Sequence, residues 1–148
     1  MKVIIAFFLG FAVCFGFEAK VVRIIDGDTI VVLNNAKEQI RVRLYGIDAP
    51  ELKQPFGKAS KKHLAGLVGN RVVRVESFGK DRYKRLLGII YTDKDINAQM
   101  VIDGYAWAYN RYSKKYVTHQ AKAKLERKGL WIDGSNAIEP SKARKIGY

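Results

Sequence analysis

Cysteine is nearly missing from this chain, with one residue, Cys14, among 148. A disulfide within the chain needs two, and a zinc–thiolate centre needs more, so both are excluded. Histidine is scarce as well: His63 and His119 stand apart, and both are assigned to surface or helix packing rather than catalysis. Acidic residues are outnumbered, 14 against 27 basic ones, for a formal charge of +13 and a pI near 9.9. That imbalance suits a polyanionic partner, nucleic acid first and an anionic membrane second, with a merely soluble basic protein as the bland alternative. Long apolar runs are missing too. The one candidate, residues 3–17, is shorter than the roughly 18 a membrane span requires. No repeat or linker divides the chain, and 48% hydrophobic with 11% aromatic residues exclude a disordered tail, so one domain with a core is expected.

The apolar start has the form of a signal peptide. Lys2 is a minimal basic region, and small Gly16 with Cys14 two residues earlier points to cleavage after Gly16. Cleavage after Ala19 would leave bulky Phe17 at the −3 position, and residues 11–14 only loosely resemble a lipoprotein box. Residues 1–16 are therefore expected to be the leader and 17–148 the mature domain, secreted or periplasmic, with an uncleaved membrane anchor as the rival. Loss of Lys2 and Cys14 would leave 26 basic and 14 acidic residues, +12, and no thiol at all. Packing and any bound metal would then have to stabilise the fold.

Most of the remaining chain is organised around Arg41-Val42-Arg43-Leu44-Tyr45-Gly46-Ile47-Asp48-Ala49-Pro50-Glu51. Its first half alternates as a strand does, with Val42 and Leu44 on one face and Arg41, Arg43 and Tyr45 on the other. Pro50 lacks an N–H and biases Ala49 away from helix, so the strand should end near Asp48. An arginine and two carboxylates are thus held at a sheet rim.

Upstream, residues 18–25 and 29–33 read as strands joined by Asp26-Gly27-Asp28, and 38–46 as a third after the turn Asn34-Asn35. Downstream come a loop at 52–56 containing Pro55 and a helix at 57–68 with Ala59, His63 and Leu67 on one stripe. Gly69-Asn70 ends that helix. A strand at 71–77, a charged turn at 78–84 and a fifth strand at 85–91 follow. Asp95 caps a short helix through Ile96, Met100 and Val101, stopped at Gly104. Aromatics crowd 105–116, and a third helix carries Val117, Ala121 and Leu125 before Gly129-Leu130-Trp131. The tail from Asp133 is polar, basic and expected to be flexible. Five strands with a helix after the third suggest an α+β fold, a five-stranded OB-fold barrel with three helices.

Ile25-Asp26-Gly27-Asp28-Thr29, Arg43 through Glu51, Asp81-Arg82-Tyr83-Lys84-Arg85 and Gly129-Leu130-Trp131 together resemble the staphylococcal nuclease (thermonuclease) family over nearly all of the mature chain. That resemblance implies an OB-fold, calcium-dependent endonuclease hydrolysing phosphodiester bonds of DNA and RNA. A monomer is expected, with no obligate protein partner evident in the sequence. The resemblance also implies Asp28 and Asp48 as calcium ligands, joined by the backbone carbonyl of Ala49. Hard oxygens with water completing the shell suit that ion. Glu51 would orient or deprotonate the attacking water, and Arg43 and Arg85 would grip the phosphate as charge builds. Tyr83, Lys84 and Tyr112 resemble substrate-binding positions. Lys84 is a departure, because the family usually has glycine there, and a turn requiring positive φ would be strained by roughly 1–2 kcal/mol.

Other readings of the same residues stand beside this one. Asp26 and Asp28 suit a hairpin turn, Asp48 a turn cap, and Arg43 with Glu51 a surface ion pair of little worth. The aromatics of 105–116 suit a core, with one or two as base-stacking faces, and the basic residues of 114–128 suit a solvated helix face or a substrate contact. A non-catalytic nucleic-acid-binding OB module is the alternative function, and an exported basic adhesin or membrane-surface protein a third. A complete set of acids and arginines favours the enzyme.

Overall fold

The structure is a computed structural model and describes residues 16–133 and 137–147. The leader expected at 1–16 lies outside these residues except for Gly16. β1 (Gly16–Asp26), β2 (Thr29–Asn34) and β3 (Gln39–Leu44) form the expected antiparallel meander. β5 (Val72–Lys80) and β6 (Leu86–Tyr91) pair antiparallel, β6 joins β3 in parallel, and β5 returns to β1. The five strands close into a barrel in the order β1-β2-β3-β6-β5. Closure leaves no unpaired edge, and alternate residues turn inward to fill it. Val21, Ile30, Val32, Val42, Leu44, Val73, Val75 and Ile90 form that interior, each nearly inaccessible.

The third strand does not run on to Gly46. Gly46 takes φ +77°, a left-handed turn that glycine adopts without penalty. The chain then restarts as β4 (Ile47–Asp48), paired antiparallel with β7 (Trp107–Ala108) in a separate two-stranded sheet. This second pairing had no sequence signal, because two-residue strands carry no periodicity.

Helix α1 (Gly57–Val68) buries Ser60, Leu64 and Val68, one position beyond the expected stripe of Ala59, His63 and Leu67. His63 lies at the flank, its Nε2 2.8 Å from Asp103 and its ring 3.9 Å from that of Tyr105. α2 (Ile96–Ile102) starts as expected, with the Asp95 carboxylate accepting the Ala98 N–H at 2.9 Å. In α3 (Val117–Leu125) the stripe differs: Val117 is 39% and Leu125 85% exposed, whereas Ala123 is buried. This helix docks through Tyr116, through Gln120, whose Oε1 accepts the Ala108 N–H at 2.7 Å, and through Lys124 above Trp131. A polar and aromatic interface of this kind is invisible to a count of aliphatic residues.

After a 3-10 turn at Gly129–Trp131 comes a fourth helix, α4 (Pro140–Ala143), in the segment expected to be a flexible tail. Pro140 and Ala143 are buried in it. Among the described residues no helix is long and apolar enough to cross a membrane.

Candidate active site

Strand register builds the site. Asp26 pairs with Thr29, so the β1–β2 turn projects Asp28 at the barrel rim, and Thr29 pairs with Arg43 on β3. Gly27 is required in this turn for space: a Cβ there would collide with the Ser60 side chain and stand 2.8 Å from the Ala49 Cβ. Helix α1 therefore presses the turn against the segment that carries Asp48. The β4–β7 pair fixes Asp48 itself.

Arg43 holds the two acids together. Its Nε lies 3.2 Å from Asp28 Oδ1 and its Nη2 3.3 Å from Asp48 Oδ1, while Nη1 donates to the carbonyls of Leu44 at 2.6 Å and Ile47 at 2.8 Å. Asp28 Oδ1 accepts the Thr29 hydroxyl at 2.9 Å, and Oδ2 accepts the Ala49 N–H at 2.7 Å. Arg43 is 8%, Asp28 6% and Asp48 2% exposed. A charge cluster so buried persists only because every member has a partner, and removing one would leave the rest uncompensated.

Negative charge still exceeds positive charge here. Burial, and then the nearby Asp28 charge, push the Asp48 carboxyl up to about 6 despite the opposing pull of Arg43 and Arg144. The same two causes, burial first, push Asp26 up to about 7. The Asp26 carboxylate accepts the Asp28 N–H at 3.0 Å, so Asp26 belongs to the site although the sequence placed it only as a turn residue. Its one signal was its place in the same Asp-Gly-Asp turn.

Glu51 sits at the outer edge, its side chain 49% exposed. Its N–H donates to Gln54 Oε1 at 2.9 Å, and a Cβ at Gly57 would run into its carbonyl, so loop and helix are packed backbone to backbone. Arg144 arrives from the end of α4, with Nη2 3.3 Å from Asp48 Oδ2 and Nη1 3.3 Å from Glu51 Oε1. Sequence reasoning missed it entirely, since it lies 93 residues from Glu51 in a stretch without pattern.

Arg85 is placed otherwise. Its Nε donates to Asp81 Oδ2 at 2.8 Å, and its guanidinium lies 5.4 Å from the Tyr83 ring centre. Burial alone would raise the Asp81 carboxyl, but its hydrogen bonds to Arg85 and the Arg85 charge hold it below the usual range. The structure thus brings Asp28, Arg43, Asp48, Ala49 and Glu51 together and leaves Arg85 bound to its own turn. In that turn Lys84 has φ +60°, the left-handed conformation that glycine would adopt freely. Tyr83 is 63% exposed there. Tyr112 is 43% exposed and stacks on Tyr45 with ring centres 5.8 Å apart, while Tyr45 stacks on Phe78 at 4.5 Å.

Two hard carboxylates with excess negative charge around them fit a divalent cation better than a soft one. Among the described residues no trio of His, Cys, Asp or Glu side chains converges as a cage, so a cation here would draw on backbone oxygen and water as well.

Known proteins point the same way. The family described as staphylococcal nuclease homologue matches residues 41–133. An uncharacterized endonuclease of Haemophilus influenzae is 47% identical over 129 residues, 85% of this chain and 72% of its own. A micrococcal nuclease of Shigella flexneri is 43% identical over 143 residues, 87% of this chain and 81% of its own. An uncharacterized endonuclease of Escherichia coli O157:H7 is 40% identical over 124 residues, 81% and 80%. With that coverage and the closed barrel, the chain belongs to the staphylococcal nuclease family and is an endonuclease, a hydrolase whose substrates are nucleic acids.

Proposed function

We propose that this nuclease is exported, depends on calcium and cleaves both DNA and RNA. The observation that carries the reading is the buried Asp28–Arg43–Asp48 cluster with Glu51 at its rim. Asp28, Asp48 and the Ala49 carbonyl would hold the cation, whose positive charge would polarise a phosphate oxygen and offset the substrate's own charge.

This chain's groups do the rest. A phosphodiester is anionic and repels an incoming hydroxide, so positive charge must already be in place. Arg43 keeps the two acids in register. Glu51, half exposed and fixed through its backbone, takes a proton from water approaching the phosphate. The water oxygen bonds to phosphorus as the bond to the leaving sugar oxygen breaks, and that oxygen takes a proton from solvent. Arg85, released from Asp81, stabilises the charge on the pentacoordinate phosphorane, for which its planar fork is better suited than a lysine. The basic surface holds the strand through phosphate contacts rather than base identity, which accommodates DNA and RNA alike.

Digestion of plasmid, single-stranded DNA and RNA, with calcium and with excess chelator, tests this. All three should be cut with calcium and none with chelator, and undiminished cutting in chelator removes the metal's role. For export, mass spectrometry on protein from its native host should find Phe17 at the N-terminus, whereas intact Met1 in membranes supports the anchor.

A further inference from the structure

We propose that Arg144 is a substrate-phosphate ligand, delivered to the active site by the C-terminal helix. This rests on the nuclease reading above and adds a residue to it. Three guanidiniums are candidates for the phosphate, and their surroundings differ. Arg43 spends donors on Asp28, Asp48 and two carbonyls and is 8% exposed, so it can offer a substrate at most one N–H of its five. Arg85 is tied to Asp81 in its own turn.

Arg144 gives one N–H to Asp48 and one to Glu51, and its side chain is 41% exposed. With two of its five N–H donors engaged, it keeps others to offer a ligand between a candidate metal ligand and the candidate base. There they oppose the repulsion that two carboxylates would exert on an incoming phosphodiester. A guanidinium can bridge the acids and still donate to a phosphate oxygen from its free edge.

Its position comes from packing rather than from the ion pairs alone. Pro140 and Ala143, on the helix before it, are buried, and Ala143 lines one hollow with Pro50, just before Glu51, and with Gln54 and Phe56 of the loop after it. A rim salt bridge without this support would be worth little. Supported, the arginine arrives at a fixed place beside the reacting groups.

The experiment uses the mature chain with calcium. Arg144→Gln, Arg144→Lys and Lys145→Gln, the last removing one charge from the same tail, are compared with the parent. Cleavage of single-stranded DNA is measured, together with binding of a cleavage-resistant phosphorothioate strand across a salt series. Arg144→Gln should bind about tenfold more weakly at low salt, with a shallower salt slope by about one phosphate contact. Its kcat/KM should fall about 10- to 100-fold, and Arg144→Lys should recover part of that because it keeps charge without the fork. Lys145→Gln should stay within about twofold of the parent. An Arg144→Gln that binds and cuts like Lys145→Gln, or cuts faster than the parent, overturns the proposal. A lowered melting temperature with an unchanged salt slope also overturns it, since the contact would then be structural only. A parent that binds but does not cut in calcium removes the nuclease reading itself.

Discussion

At the scale of single residues, two charged groups of the site have different relations to the fold. Arg43 is buried against two buried carboxylates, and deleting it would leave Asp28 without a cationic partner and Asp48 with Arg144 alone. Breaking such a cluster costs about 3–5 kcal/mol. Glu51 is half exposed, and amide replacement strands nothing. Arg43→Ala should therefore lower both melting temperature and turnover, with added calcium recovering part of the stability by pairing with Asp28 and Asp48. Glu51→Gln should leave the melting temperature near the parent's while turnover falls at least about 100-fold. Calorimetry and initial rates on both variants, with calcium and with chelator, check this. An Arg43→Ala as stable as the parent in chelator would show that the cluster is not held as described.

At the scale of elements, the turn between β5 and β6 holds a lysine where the backbone is left-handed. Lys84 at φ +60° carries a cost of roughly 1–2 kcal/mol relative to an ordinary conformation. Asp81 compensates by accepting the N–H groups of Tyr83 at 2.9 Å and Arg85 at 3.0 Å, which closes the turn and keeps Arg85 at its base. Lys84→Gly should ease the strain, let Arg85 reach the phosphate more readily and raise turnover, with calcium affinity unchanged. Stability should move little, because glycine also gives the unfolded chain more freedom. Turnover and binding that fall together at low salt, and recover as salt rises, would instead make Lys84 a phosphate contact.

At the scale of the whole molecule, the concentrated acidic charge links stability to pH and metal. Asp48 at about 6 and Asp26 at about 7 both lie above the ordinary 3.8, so the folded protein binds protons that the unfolded chain has released. The stabilising contribution is complete below about pH 4 and is lost as pH rises through 6 and 7. In chelator, the melting temperature should therefore drop between pH 5.5 and 7.5, and Asp26→Asn should flatten that slope. Calcium should reverse the trend, stabilising most where the acids are ionised, by about 2.7 kcal/mol at a hundred times its Kd. Thermal melts across pH, with and without calcium, measure both effects. A chelated protein more stable at pH 7.5 than at 5.5 would contradict the excess of buried negative charge.

Local chemistry made the barrel and half the site legible in the sequence. The β-branched runs, the Asp26-Gly27-Asp28 turn and the break at Pro50 state strand, turn and strand end within a few residues, because backbone sterics and side-chain alternation act at that range. Asp28, Arg43, Asp48 and Glu51 lie in these short stretches, but their roles came from the resemblance of the stretches to a known family rather than from local pattern. The packing faces did not follow: α1 buries Ser60, Leu64 and Val68, and α3 docks by Tyr116, Gln120 and Ala123, since a helix's buried side is chosen by what lies opposite it. The β4–β7 pair, the restraint of Arg85 by Asp81 and the arrival of Arg144 between Asp48 and Glu51 were likewise decided only in three dimensions. The latter depends on contacts across more than ninety residues of chain, which a local pattern cannot encode.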